Sequence, residues 1–214
     1  MDNILPKQKY YENIANTIIK NLSKRQIEGY YCKDSKTAVE KALELIPQNS
    51  SISWGGSMTL IETGLMDAVK NGNYKIIDRD IVRTPEEQRK MYGEICLSDY
   101  FLMSANAITI DGELINIDGR GNRVAFLCYG PQNVIILAGM NKVVSDVKSG
   151  FKRVRDIASP PNTVRLNKKT PCSVTGKCED CYSPDCICGQ FVITRRSGVP
   201  NRIKVILIGE ELGY

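Results

Sequence analysis

The sequence predicts an α/β fold built on a mostly parallel sheet, and three observations predict it. Short apolar, strand-like runs alternate with helix-like segments along the chain. One run, Gln132 to Ala138, is apolar almost throughout, the pattern of a strand covered on both faces. The composition, 42% hydrophobic and 25% charged over 214 residues, is that of a chain able to bury a core without disulfide staples.

Residues 1–48 read as helices. Ile14, Ile18, Ile19 and Leu22 follow helical spacing through the first 30 residues, with Gly29 as the stop. Asp34 or Ser35 caps a second helix whose inner face is Val39, Ala42, Leu43 and Ile46, with Pro47 just past its end. Ser51 to Trp54 is a short strand running into Gly55-Gly56-Ser57, and a helix follows from about Ser57 to Leu65. Lys75 to Asp78 is another short strand. Thr84-Pro85-Glu86-Glu87 starts a helix in the strongest way: a Thr cap, Pro at the first position and Glu three after the cap. That helix ends near Leu97.

Tyr100 to Ser104 and Ala107 to Ile110 read as strands. The Asp111-Gly112 turn then joins the second of them to Glu113–Ile117 as a local antiparallel piece. After Gln132–Ala138, Val143 to Ile157 reads as one helix. Gln190–Thr194 and Ile203–Ile208 are the last strands.

Composition removes several kinds of chemistry. The chain has no histidine, so no Ser-His-Asp triad, Cys-His dyad or imidazole metal ligand is available from it. Acid–base work falls to Asp, Glu, Lys, Tyr or Cys. No apolar run approaches the roughly 20 residues that span a bilayer. The opening Met1 to Pro6 has no basic stretch followed by an apolar one, so a cytoplasmic protein with no membrane partner is expected.

Charge is uneven. Residues 1–140 balance at −1 and residues 141–214 at +6, with the excess densest from Lys142 to Lys169. Such a stretch is either a solvated basic face or a surface for a small anion or acidic partner. Phe151 is its lone aromatic, so the interleaved aromatics of a nucleic-acid binder are missing.

Three constellations carry chemistry. Gly55-Gly56-Ser57, between a strand and a helix, presents backbone N–H groups, with Ser57 and Thr59 adding hydroxyls. It is either an anion cradle or a tight turn capped by Ser57. Glu62, further along the same helix, is a candidate catalytic carboxylate or a solvent-facing polar residue.

The second constellation runs from Thr109 to Arg123. Asn116 and Asp118 are two apart on a strand and share a face, and Gly119 and Gly121 let the backbone turn closely. Asn122 caps a short helix holding Val124, Ala125 and Phe126. The functional alternative makes Asp118 a base or ligand holder and Arg123 an anion clamp. The other alternative is a Gly-rich turn tied by its own polar side chains.

The third is a cysteine segment at residues 170–190, Cys172, Cys178, Cys181, Cys186 and Cys188, spaced C-x5-C-x2-C-x4-C-x-C. The segment is turn-rich and too short to be held by core burial. Thiolates on zinc or an iron–sulfur cluster would fix it, with a redox-active thiol set or incidental free cysteines as alternatives. Cys32, Cys96 and Cys128 read as small apolar residues.

Several of these runs together resemble a known family. Trp54-Gly55-Gly56-Ser57, Asp118-Gly119 through Gly121-Asn122-Arg123-Val124-Ala125, Tyr129-Gly130-Pro131, Ala138-Gly139-Met140-Asn141-Lys142 and Cys172-x-x-Thr175-Gly176-x-Cys178-x-x-Cys181 are similar to the LUD domain of lactate utilisation proteins (LutB/LutC-like). The likeness covers roughly residues 10–212 and so implies a single domain over 1–214. It implies a layered α/β/α fold like the ribose-phosphate isomerase, glucosamine-phosphate deaminase and CoA-transferase group, in which a loop like Gly55-Gly56-Ser57 cradles an anion. It also implies lactate oxidation together with iron–sulfur redox partner proteins. The repeated ferredoxin cysteine pattern of the LutB type is missing, and no motif around Glu62 matches the CoA-transferase nucleophile.

The expected ligand is therefore a small carboxylate- or phosphate-bearing metabolite, held near Gly55–Ser57, Asp118–Arg123 and Asn141–Lys142. The alternative is a non-catalytic metal-binding accessory or electron-transfer subunit that docks a redox partner. A homodimer is expected from base rates alone.

Overall fold

The computed structural model describes residues 5–81 and 84–214, so the reading of Met1–Ile4 lies outside the described residues. Helix α1 (Pro6–Lys24) opens on Pro6, whose fixed φ suits a first turn. It is shorter than its periodicity suggested. Gln26 turns left-handed at φ 59°, and Glu28–Cys32 forms strand β1, with Gly29 inside the strand rather than at a helix stop. Asp34 caps α2 (Ser35–Glu44) in a reciprocal capping box with Thr37. Strand β2 (Ser51–Trp54) follows. The helix expected next is broken at the left-handed Gly64 into α3 (Met58–Glu62) and α4 (Leu65–Lys70). Then come β3 (Lys75–Ile76), α5 (Pro85–Cys96) with its Thr84–Glu87 capping box, and β4 (Tyr100–Met103).

The hairpin around Asp111-Gly112 is β5 (Ala107–Thr109) against β6 (Leu114–Asp118). Helix α6 (Asn122–Cys128) and strand β7 (Asn133–Gly139) follow. The single helix expected over Val143–Ile157 is not what forms. Val143–Val144 is strand β8, paired with β5, and Asp146 caps α7 (Val147–Arg153) by accepting from the Ser149 N–H. A widened π turn at Val154–Ala158 then leads into α8 (Ser159–Arg165). The turn widens just ahead of Pro160-Pro161, which have no N–H to continue the regular ladder. Helix α9 (Pro171–Thr175) and strands β9 (Gln190–Thr194) and β10 (Ile203–Ile208) complete the elements.

Six strands form one parallel sheet in the order β1-β10-β7-β4-β2-β3. Helices cover both faces, because alternate residues of each central strand point opposite ways. From β7, Val134, Ile136 and Ala138 join the core under α1, α5 and α6, whereas Ile135 and Leu137 join the core under α2, α3 and α4. This is the layered α/β/α arrangement. A second sheet, β8-β5-β6-β9, is mostly antiparallel and is larger than the local piece the sequence suggested, because β9 pairs with β6 from Leu114↔Thr194 to Asp118↔Gln190. Its Ala107, Ile115 and Ile117 pack with Val154 and Ala158 in a small third core. The approach there is close: a β-carbon on Gly150 of α7 would lie 2.0 Å from Ile115 Cδ1.

Strand β2 connects outward to β3, while the chain leaving β4 returns by way of β5, β6 and α6 to β7 on the other side. The carboxyl ends of β2 and β4 therefore flank a reversal of direction, the place where open α/β sheets take ligands.

Candidate functional site

A cleft of about 270 Å³ opens at that reversal. Its walls are the loop after β2 (Gly56, Ser57), the loop after β4 (Ser104, Ala105, Asn106), the end of β6 with its glycine turn (Asp118, Gly119, Arg120), Lys142 after β7, and the π turn and α8 (Ala158, Ser159, Arg165). Ile187 of the cysteine segment and Tyr214 close the rim.

Arg123 is the buried keystone. Its Nη1 donates to Asn116 Oδ1 (2.7 Å) and Ser104 O (3.1 Å), its Nη2 to Asn106 Oδ1 (2.9 Å) and Ile117 O (3.0 Å), and its Nε to Asp118 Oδ1 (3.4 Å). All five guanidinium N–H donors are thereby directed at the protein itself. Asp118 uses its second oxygen to accept the Arg123 backbone N–H at 3.1 Å. Asp118 thus caps α6, the task expected of Asn122. Asn122 is instead the first helical residue after left-handed Gly121, and its side chain lines the cleft. Asn116 is fully buried under the guanidinium, and its Nδ2 finds no partner among the described residues.

Lys142 is different in kind. It is 4% exposed, yet its side chain lines the cleft. Nζ donates to Thr59 Oγ1 at 2.7 Å and Ser104 Oγ at 3.0 Å, and among the described residues no carboxylate pairs with it. Burial, then the positive charges of Arg153 and Arg123, push its pKa down to about 7, against a weaker opposing pull from Glu62.

The other expected residues fall into two groups. Gly56 and Ser57 line the cleft, whereas Gly55 lies behind it against the Arg123 stem. Ser57 caps α3 by accepting from the Leu60 N–H at 3.4 Å, and α3 has only five residues. Glu62 and Asn141 do not line the cleft. Glu62 accepts the Gly213 N–H at 2.6 Å, and Asn141 exchanges hydrogen bonds with Leu212 and Gly213, so both fasten the stretch that follows β10.

Sequence reasoning did not single out Arg79, Arg120, Arg165 or Ser104. Arg120 lies within the glycine run and Arg165 within the basic stretch, so both had a signal. Nothing local marks Ser104. These arginines, with Lys142, give the cleft a clear excess of positive charge. Among the described residues Asp118 is the one acidic side chain lining it and is matched to Arg123, while Arg79 on the rim is paired with Asp80 at 3.6 Å. Much of the basic stretch is structural. Arg153 donates to the carbonyls of Asn141 and Asn106, Arg155 pairs with Asp180 at 2.5 Å, and Lys168 pairs with Asp185.

The five thiols are spread over separate partners. Cys172 is buried beside Thr163 and Thr170, Cys178 accepts from Arg155 Nε at 3.3 Å, and Cys188 sits 3.4 Å from Ser159 Oγ. Cys181 bonds to Ser183 and Cys186, which hold its thiol below the ordinary value, whereas burial pushes Cys188 up to about 11. Among the described residues no group of three or more Cys, Asp or Glu side chains is arranged to hold a metal ion. In this arrangement the segment is held by other ties: Arg155–Asp180, the Lys169 N–H on Asp185, and the Gly189 N–H on the Asp118 carbonyl.

The family model for the LUD domain matches residues 15–208. A DUF162 family protein from Deinococcus radiodurans shares the architecture at TM-score 0.54 and 14% identity, over 92% of this chain and 98% of that one. Partial likenesses reach ribose 5 phosphate isomerase A from Neisseria gonorrhoeae (TM-score 0.36, 17% identity, 53% of this chain and 54% of that one) and eIF2B delta from Chaetomium thermophilum (TM-score 0.37, 16% identity, 67% and 55%). No curated protein matches the chain. Among the described residues no helix is long and apolar enough to cross a membrane.

Proposed function

Because the chain belongs to the LUD domain family, we propose that it binds a small carboxylate- or phosphate-bearing metabolite in the cleft and takes part in oxidation of lactate or a related 2-hydroxy acid. The observation that carries this reading is Lys142: a buried amine at the cleft wall with two hydroxyl partners and, among the described residues, no carboxylate of its own. An anion arriving there supplies the charge partner that no described residue provides. Arg120 and Arg165 on the rim attract the same charge from solution.

Arg123 and Asp118 serve the site by shape. Their mutual bonds fix the wall made by the ends of β4 and β6, so the cleft is formed before a ligand enters. Oxidation of a 2-hydroxy acid to a 2-oxo acid removes two electrons and two protons. Binding and proton handling fall to this chain, and the electrons pass to an iron–sulfur partner protein, the class that the family likeness implies. Calorimetric titration with lactate, pyruvate and inorganic phosphate at pH 6 and pH 8 tests the reading. Binding of at least one of them, tighter at pH 6 where Lys142 is charged, is expected. Absence of binding at both values overturns it.

A further inference from the structure

The hydrogen-bond directions around Lys142 carry a more specific reading. Thr59 Oγ1 donates its single proton to Leu212 O at 3.3 Å, and Ser104 Oγ donates its own to Ala105 O at 3.2 Å. Both hydroxyls therefore meet Lys142 as acceptors, and they take two N–H bonds. A neutral amine has two N–H bonds and one lone pair. The third position at Nζ has no partner among the described residues, and Lys142 and Ser104 both line the cleft. Burial among cationic neighbours disfavours the ammonium form, which leaves the amine available near neutral pH.

We propose that Lys142 is a nucleophilic amine that condenses with the carbonyl group of an anionic oxo compound bound in the cleft, an inference that rests on the anion-binding reading above. The Nζ lone pair adds to the carbonyl carbon to give a carbinolamine. The carbinolamine hydroxyl takes up one proton from solvent and leaves as water, the C–O bond breaks as the C=N bond forms, and the product is a protonated imine on Lys142. Addition of water reverses the sequence. No oxidant or metal enters the balance. The cationic rim selects for an anionic group near the carbonyl, either a carboxylate, as in a 2-oxo acid, or the phosphate of a phosphorylated ketone.

The test is reductive trapping on the full chain. Wild-type protein is incubated separately with pyruvate and with dihydroxyacetone phosphate, sodium cyanoborohydride is added, and adducts are mapped by peptide mass spectrometry. One adduct per chain, on Lys142, is expected with at least one probe, and the probe that reacts identifies the anionic group. Trapping should rise about tenfold from pH 6 to pH 8, whereas an ordinary exposed ammonium group stays almost wholly charged, and so slow to react, across that range. Lys142→Met, checked for folding by thermal melting, should lose the adduct. The wild-type map stands even if that variant does not fold. Calorimetric binding of pyruvate or phosphate with no adduct on Lys142, or with adducts scattered over surface lysines, overturns the nucleophile and leaves the anion cleft standing. Absence of both binding and adduct overturns the two together.

Discussion

The stem of Arg123 fills the space where a side chain at Gly55 would begin. A β-carbon built on Gly55 would come within 2.9 Å of both Cγ and Cδ of Arg123. The glycine of the loop after β2 is thus required by the guanidinium clamp, and the loop and the clamp are one construction.

Gly55→Ala should therefore destabilise the fold by about 1–3 kcal/mol, the usual cost of overpacking a close contact. Urea unfolding measures it. Gly56→Ala is the control, since a β-carbon there would meet nothing within 4 Å and should leave stability nearly unchanged.

Removing the guanidinium should cost more. Arg123→Met strands Asn106, Asn116, Asp118 and the carbonyls of Ser104 and Ile117, with Asp118 left as a partly buried unpaired charge. A loss of about 3–5 kcal/mol is expected in the same unfolding measurement. Asp118→Asn keeps one acceptor for Arg123 and should cost about 1–3 kcal/mol. A stable Asp118→Asn protein that binds ligand like wild type would confirm that Asp118 acts through Arg123 and not on the ligand.

Lys142 makes stability depend on pH in a direction opposite to that of a paired lysine. Its folded pKa, about 7, lies below the ordinary value, so between pH 7 and pH 9 the unfolded chain holds a proton that the folded site has released. Folding stability should rise with pH across that window. Above pH 9 Cys188, pushed up to about 11, acts the other way. Unfolding of wild type and Lys142→Met at pH 6, 7, 8 and 9 checks this. The wild-type curve should climb relative to the variant, and a constant difference would contradict the buried amine.

The thiols should differ in reactivity. Cys181, exposed in part and acidified by Ser183 and Cys186, should be alkylated by iodoacetamide ahead of Cys188, whose burial disfavours the thiolate, and of buried Cys172. Mass spectrometry of partially labelled protein gives the order. Treatment with EDTA tests what orders the segment: an unchanged melting temperature leaves Arg155–Asp180 and the Lys169 N–H on Asp185 as its ties. A fall of several degrees would show that a metal orders the thiols.

The fold was legible where a local rule decided it. The β7 run, the Thr84 and Asp34 caps and the Asp111-Gly112 hairpin each announce themselves within a few residues. Strand β1 was not legible, because Glu28–Cys32 acquires its state from the parallel partner β10, more than 170 residues away. Strand β8 was lost for the same reason, two residues drawn into pairing by β5.

At the site, the spacing of Asn116, Asp118 and Arg123 exposed a constellation but not its direction. That Arg123 turns every donor inward depends on Ser104 and Asn106, which the β4 end brings in from a separate stretch. Lys142 was visible only as part of a motif. Its burial with no carboxylate partner among the described residues is a property of α3, the loop after β4 and the turn after β7 meeting.

The most direct measurement is calorimetric titration of pyruvate, lactate and phosphate into wild type and Lys142→Met at pH 6. Binding through a buried, unpaired amine predicts a loss of at least about tenfold in the variant, as one charge-assisted hydrogen bond is worth roughly 1.5–3 kcal/mol. Equal affinity in the two proteins would contradict the assignment of Lys142 as the centre of the site.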